Sequence, residues 1–335
     1  TTKEDYITDV LTDKAIEWMN GVKNSPFCLY LSHKGVHAEF EPAKRHKGNY
    51  KDLPIQCPPS MYLTATDSSK TFGKYNAPRS KVNYRDIPKW VRAQRYSWHG
   101  VDHMYHGQIP FDEFYHLYLE TLQSVDESVA RVLDWVEKNG LKDNTLVVYM
   151  GDNGFLFGEH GLIDKRNAYE ESMRVPLLMW APGMIKPKSV IEQMVLNIDL
   201  APTFLELAGM KNKPEHMQGT SVVPLLKGEG TAWRDKVFYE YYWEAAFPQT
   251  PTIFAVRSDR YKYIFNYGTW DINELYDLMS DPNEMNNLIR EPEMATLGLE
   301  LRDQLFGWLE ASGGLQIPLK KQRGRRGDHL FPGTY

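Results

Sequence analysis

Ile7, Val10, Leu11, Ile16 and Met19 recur at helical spacing among polar residues, which predicts an amphipathic helix over 4–20. Asn20-Gly21 is its expected stop, and Thr2 with Asp5 three residues on is its expected cap. The apolar run Phe27–Leu31 predicts a short buried strand leading into a polar loop, Ser32-His33-Lys34-Gly35-Val36-His37. Residues 38–95 show no sustained period, so 38–110 is expected to be a long excursion, the kind of segment that often carries function. A strong helix follows over 111–139, with Phe114, Leu117, Tyr118, Leu122, Val125, Val129, Val132, Leu133 and Val136 on its apolar face and Asn139-Gly140 as its stop. Leu146–Met150 and Val175–Ala181 predict buried strands, and Asp199–Leu207 a short helix ended by Ala208-Gly209. Alternating strands and helices with buried strands predict an α/β class, a mostly parallel sheet flanked by helices.

The texture changes near residue 226. Val237–Trp243, Thr252–Ser258 and Tyr261–Asn266 predict consecutive strands, with a turn at Arg257-Ser258-Asp259-Arg260. Glu274–Leu278 follows, then Asp281-Pro282, a turn able to open a helix, and a closing helix over 291–311. The expected organisation is a large α/β domain over 1–225, a small antiparallel α+β subdomain over 226–314, and a solvated basic tail over 315–335.

The 335 residues suffice for one large domain or two ordinary ones, and the 42% apolar and 25% charged shares are those of a globular chain. A formal charge of −5 argues against a nucleic-acid partner but leaves room for a local anion pocket. No run of about 18 apolar residues occurs, so no membrane span is expected. The first residues, Thr1-Thr2-Lys3-Glu4-Asp5, resemble no signal peptide and lack an initiator Met, so the chain is expected to begin inside a longer protein. Cys28 reads as a buried core thiol; a Cys28–Cys57 disulfide stays open, and the absence of a CxxC pair argues against a zinc knuckle.

Gly151-Asp152-Asn153-Gly154 follows a predicted strand, where ligands of open α/β sheets gather. Asp152 and Asn153 offer adjacent hard oxygens, which suit calcium or magnesium better than zinc. Taken alone, the four residues read as a simple turn before they read as a metal site. His99, His103 and His106 are spaced unlike common metal-ligand templates.

The context decides. After Asn153 come Phe157-Gly158-Glu159-His160-Gly161-Leu162, Asp164-Lys165-Arg166, Tyr169-Glu170, Arg174-Val175-Pro176-Leu177 and Ala181-Pro182-Gly183. The order continues in Asp199-Leu200-Ala201-Pro202-Thr203, Leu207-Ala208-Gly209, Arg260-Tyr261-Lys262-Tyr263-Ile264, Glu274-Leu275-Tyr276-Asp277-Leu278, Asp281-Pro282-Asn283-Glu284 and Asn287-Leu288. This ordered series over 145–290 resembles the sulfatase family of the alkaline-phosphatase-like superfamily. The resemblance implies that Asp152 and Asn153 hold a calcium ion, with magnesium the lesser alternative, and that Lys165 reaches the sulfate oxygens. It implies that His37, the last histidine of His33-Lys34-Gly35-Val36-His37, assists the leaving oxygen, although Gly35-Val36 replaces the commoner proline. Lys34 is a candidate second anion contact, with a surface lysine the alternative, and His160 either borders the pocket or braces its loop.

The formylglycine motif C/S-x-P-S-R does not occur, since Cys57-Pro58-Pro59-Ser60-Met61 and Ala77-Pro78-Arg79-Ser80 both fail it. The family's early Asp-Asp pair is missing too, so the resemblance implies a formylglycine upstream, that missing segment as a partner, and a chain inactive alone. The expected activity of the parent is hydrolysis of sulfate esters, on sulfated carbohydrates, in an extracytoplasmic setting: periplasmic, secreted or lysosomal. The alternatives are a phosphodiesterase or phosphonate hydrolase of the same superfamily, and a non-catalytic relative that binds sulfated glycans.

Overall fold

A computed structural model describes residues 5–62, 86–103, 109–210, 212–230, 232–244, 247–268 and 270–316. The Thr2 cap, the Ala77–Ser80 run, His106, much of the 38–110 excursion and the basic residues of the tail lie outside them. In chain order the elements are α1 (Ile7–Val22), α2 (Lys89–Gln94), α3 (Phe111–Lys138), β1 (Val147–Met150), α4 (Glu170–Met173), β2 (Leu177–Trp180), α5 (Leu200–Leu207), α6 (Val223–Leu226), β3 (Lys236–Tyr241), β4 (Thr252–Ser258), β5 (Tyr261–Tyr267), β6 (Glu274–Asp277) and α7 (Ala295–Ser312). They gather into two compact units, each discontinuous in sequence: Thr1–Leu53, Glu113–Met150 and Pro176–Asp235 form the first, and Pro54–Asp112, Gly151–Val175 and Lys236–Tyr335 the second.

In the first unit α1 runs two residues past its expected stop, because Gly21 keeps helical geometry within the helix. Its buried positions are Thr8, Thr12, Ala15 and Met19, so two hydroxyl residues take places expected of aliphatic ones. α3 ends as expected: Gly140 adopts a left-handed φ of 68° and Leu141 N–H closes on the Val136 carbonyl at 3.0 Å. Met19, Trp135 and Val136 form a core against which Phe27, Leu29 and Trp180 pack.

Several expectations are corrected here. Residues 27–31 pair with no strand among the described residues; Phe27 and Leu29 are turned inward and Cys28 and Tyr30 are exposed. Cys28 is therefore an exposed thiol, not a core residue, and neither cysteine is in a disulfide. The run is apolar at every position, so its pattern alone does not say which alternate side faces the core. β1 and β2 pair antiparallel, Val147 opposite Trp180 and Met150 opposite Leu177, where a parallel pairing was expected, and β1 is only half-buried.

In the second unit β3-β4-β5-β6 form an antiparallel meander in sequence order, matching the strands read from the pattern. Both sheet faces are covered, which the period of two makes explicit. Phe254, Val256 and Tyr263 pack on Leu301, Leu305 and Leu309 of α7. Ile253, Ala255 and Ile264 face the other way, onto Trp90, Val91, Leu156, Leu162, Ala168 and Tyr169. The sheet thus forms the floor beneath the 151–175 segment. Asp281-Pro282 opens no helix: the Asp281 carboxylate accepts Met285 N–H (3.0 Å) and Asn286 N–H (2.7 Å), closing a turn instead.

Candidate active site

The 151–175 segment is built by backbone closure. Gly154 N–H donates to the Ser172 carbonyl at 3.0 Å, and any Cβ at Gly154 would collide with the Glu171 carbonyl oxygen. Leu156 N–H reaches the Asp164 carbonyl (2.8 Å) and Gly158 N–H the Leu162 carbonyl (2.9 Å), so 156–164 folds back on itself. The Ser172 hydroxyl donates to the Lys165 carbonyl at 2.5 Å. These closures bring the two ends of the segment together.

The result is a small polar constellation. Lys165 Nζ donates to Asn153 Oδ1 at 3.1 Å, and Asn153 N–H donates to Asp152 Oδ1 at 2.9 Å. Asp152 and Asn153 are exposed and Lys165 half-exposed. The neighbours of Lys165 are fixed firmly: Asp164 accepts Arg166 Nη1 (2.8 Å) and Gln94 Nε2 (2.9 Å), and the Arg166 guanidinium lies 3.3 Å above the centre of the Phe247 ring. Two adjacent hard oxygens on an accessible loop, backed by a lysine, suit a hard divalent cation beside an anionic ligand.

His160 has bracing geometry. Only 2% of it is exposed, its ring stacks on Tyr169 at 3.7 Å, and its backbone N–H donates to the Ser60 hydroxyl at 3.2 Å. Burial, and secondarily the Lys262 ammonium, pull its pKa down to about 3. A buried neutral histidine must charge on unfolding in acid, so its contribution to stability is lost as pH falls from about 6.5 towards 3. His160→Gln should therefore flatten the acid limb of a plot of urea midpoint against pH. An unchanged limb would contradict this environment. His99 is likewise buried, in a three-ring cluster with Trp98 (4.2 Å) and Phe247 (5.2 Å), which also touch each other at 5.9 Å, while His103 is exposed.

Sequence reasoning missed a buried charge cluster below the loop. Lys262 is fully buried, and its ammonium is 2.8 Å from the Ala168 carbonyl, 2.8 Å from Glu170 Oε1 and 2.7 Å from Glu284 Oε1. Glu284 Oε2 accepts Glu170 N–H at 2.7 Å. Tyr169 and Tyr276 hydroxyls both donate to Glu274 Oε2 at 2.7 Å. His160, Glu171 and Glu284 bring ligand atoms within 4.8 Å of one another, a spacing that would suit a metal. There the Lys262 ammonium already supplies the positive charge, within 2.8 Å of a carboxylate oxygen of each of Glu170 and Glu284. The motif residues Tyr169, Glu170, Lys262, Glu274 and Glu284 thus serve as a foundation for the loop.

The second predicted element lies in the first unit. His37 and Lys34 are exposed, and His37 Nδ1 donates to the Ala38 carbonyl at 2.5 Å. A carbonyl only accepts, so the hydrogen sits on Nδ1 and the neutral ring keeps its lone pair on Nε2. His33 is part-buried, with Nε2 3.0 Å from the Ser128 hydroxyl.

Comparison with known proteins agrees with this architecture. The sulfatase family model matches residues 1–210, and the model of the C-terminal region of N-sulphoglucosamine sulphohydrolase matches 158–310. The chain belongs to the sulfatase family, and its fold is alkaline-phosphatase-like. It is 33% identical to N-acetylglucosamine-6-O-sulfatase of Bacteroides thetaiotaomicron, over 90% of this chain and 61% of that protein. It is 29% identical to human N-acetylglucosamine-6-sulfatase, over 88% of this chain and 54% of that protein. The chain thus spans little more than half the length of these relatives. A solved structure in complex with its substrate D-glucosamine-2-N,6-O-disulfate superposes with a TM-score of 0.75 at 31% identity, covering 93% of this chain and 71% of that one. Among the described residues, no helix is long and apolar enough to cross a membrane.

Proposed function

We propose that the protein hydrolyses sulfate esters of carbohydrates, and that a 6-O-sulfated glucosamine unit is its substrate class. The observation that carries this is the placement of Lys165 on Asn153 beside Asp152, in a chain 33% identical to a 6-O-sulfatase of N-acetylglucosamine. In this reading Asp152 and Asn153 hold a calcium ion, which screens the sulfate charge. Lys165 binds a sulfate oxygen and offsets the charge growing on the bridging oxygen. His37, carrying protons at both ring nitrogens when charged, keeps Nδ1 on the Ala38 carbonyl and delivers the Nε2 proton to the leaving sugar oxygen. Lys34 adds an exposed cation for the substrate's anionic groups. The family's formylglycine supplies the nucleophile; its motif is not among these 335 residues. An extracytoplasmic location accords with a relative named as an extracellular sulfatase. Likeness to a phosphonate monoester hydrolase, at 20% identity, speaks for the fold alone.

The test uses the whole protein with matured aldehyde, offered N-acetylglucosamine-6-sulfate, glucosamine-2-N,6-O-disulfate, a 2-O-sulfated uronate, an aryl sulfate and a phosphonate monoester. Sulfate release from the two 6-sulfated sugars, abolished by chelator and restored better by calcium than by magnesium, is expected. No release from any sulfated sugar would overturn the proposal.

A further inference from the structure

The His33-Lys34-Gly35-Val36-His37 loop lies against a seam of buried hydroxyl residues. Thr8 and Thr12 of α1 and Thr121, Ser124 and Ser128 of α3 are all nearly inaccessible. A Cβ placed on Gly35 would stand 3.4 Å from Val125 Cγ2 and 3.7 Å from both Thr121 Cγ2 and Thr8 Oγ1, so the loop backbone rests directly on this seam. Within it the Thr12 hydroxyl is 2.6 Å from the Thr8 carbonyl and 2.7 Å from the Ser128 hydroxyl, and Ser128 Oγ is 3.0 Å from His33 Nε2.

The hydrogens in this chain can be counted. The Thr8 carbonyl only accepts, and Thr12 has one hydroxyl hydrogen to give it. With the Thr12 hydrogen on the Thr8 carbonyl, Ser128 supplies the hydrogen between the two hydroxyls, and this is the arrangement that keeps a hydrogen off the partnerless Nδ1 of His33. That leaves His33 Nε2–H as the donor to Ser128. The relay runs His33 to Ser128 to Thr12 to Thr8, and every hydrogen in it is used. Protonating His33 would put a second N–H on Nδ1, which is buried with no partner among the described residues. An orphaned buried donor is costly, so the relay favours the neutral ring. Burial acts in the same direction, pulling the His33 pKa below its ordinary value.

We propose that His33 is a positioning residue, locked by the Ser128–Thr12 relay as the neutral Nε2–H tautomer, and that this anchor sets the loop from which Lys34 and His37 act. The two histidines of one short motif thereby divide the work: His33 holds the loop as the neutral ring, while His37 is exposed to the substrate side of the reading above. The second half of the proposal rests on the sulfatase reading given above; the tautomer and the lock do not.

Two readouts keep these apart. In the 335-residue chain labelled with nitrogen-15 histidine, His33 should show the Nε2–H pattern and take up its second proton only below the ordinary histidine range. Thr12→Val, which keeps the shape and removes the hydroxyl, should shift the His33 pattern towards a mixture of tautomers; Thr12→Ser should restore it. In the whole matured protein Thr12→Val should lower kcat for sulfate release about tenfold and displace its pH profile, with KM little changed, and Thr12→Ser should recover most of the rate. A His33 that titrates ordinarily, or a Thr12→Val indistinguishable from Thr12→Ser by both readouts, overturns the proposal. The expected spectra in a protein that releases no sulfate would uphold the anchor and sink the catalytic reading instead.

Discussion

Lys262→Met should destabilise the second unit by about 3–5 kcal/mol at pH 8, the usual cost of removing one partner from a buried ion pair. Methionine fills much of the space, so the loss is electrostatic. It strands Glu284, 2.7 Å from the missing ammonium, leaves Glu170 only the Arg257 guanidinium at 3.4 Å, and leaves the Ala168 carbonyl without its donor. The deficit should shrink at pH 5. Burial pushes the Glu284 carboxyl up to about 7, against the pull of Lys262, and a protonated carboxyl needs no cation. The sign follows from linkage: with a folded value above the unfolded one, Glu284 binds more proton when folded, and stability from it declines as pH rises from about 4.5 through 7. Glu284→Gln added to Lys262→Met should recover part of the loss at pH 8. Urea unfolding of the four proteins at both pH values measures this. A Lys262→Met loss under about 1 kcal/mol at pH 8 would show that the cluster does not hold the loop.

The same cluster shows where sequence reading stops. Strands such as Thr252–Ser258 and the helix ending at Asn139-Gly140 were legible because period and punctuation agree over a long window. Asp152, Asn153 and Lys165 were legible as members of an ordered motif series. The ion cluster was not, because Lys262 and Ala168 are 94 residues apart in sequence and charged residues read as surface. One signal was present: Lys262 shares its β5 face with Ile264, so the period of two placed a lysine in line with the core. The direction of the β1–β2 pairing was beyond reach, since periodicity carries no direction. α1 shows a further limit: Thr8 and Thr12 are buried, a fate that a template counting only apolar residues assigns to their neighbours. The Thr12 hydroxyl finds its partners in the core, the Thr8 carbonyl and Ser128 of α3, and a partner on α3 is invisible from the α1 sequence.

Loss of Lys165 should be felt in the chemistry and scarcely in the fold. Its ammonium is half-exposed and meets Asn153 Oδ1 at 3.1 Å, so Lys165→Ala should leave the urea midpoint of the chain nearly unchanged. In the whole matured protein the same change should lower kcat by about 10²–10³, the usual consequence of removing one preorganised donor from developing negative charge. Lys165→Arg should not restore the rate. A planar guanidinium cannot present the compact charge of an ammonium at the same place, and the flanking residues are already committed, Asp164 to Arg166 and Gln94, and Arg166 to the Phe247 ring. The split between kcat and KM separates this from a disturbed metal site. Asp152→Ala should raise the calcium concentration needed for half-maximal activity, whereas Lys165→Ala should leave that concentration unaltered while the rate collapses. A Lys165→Ala protein that works at the parent rate would remove Lys165 from the reaction and return it to the solvent-facing lysine that its composition alone suggests.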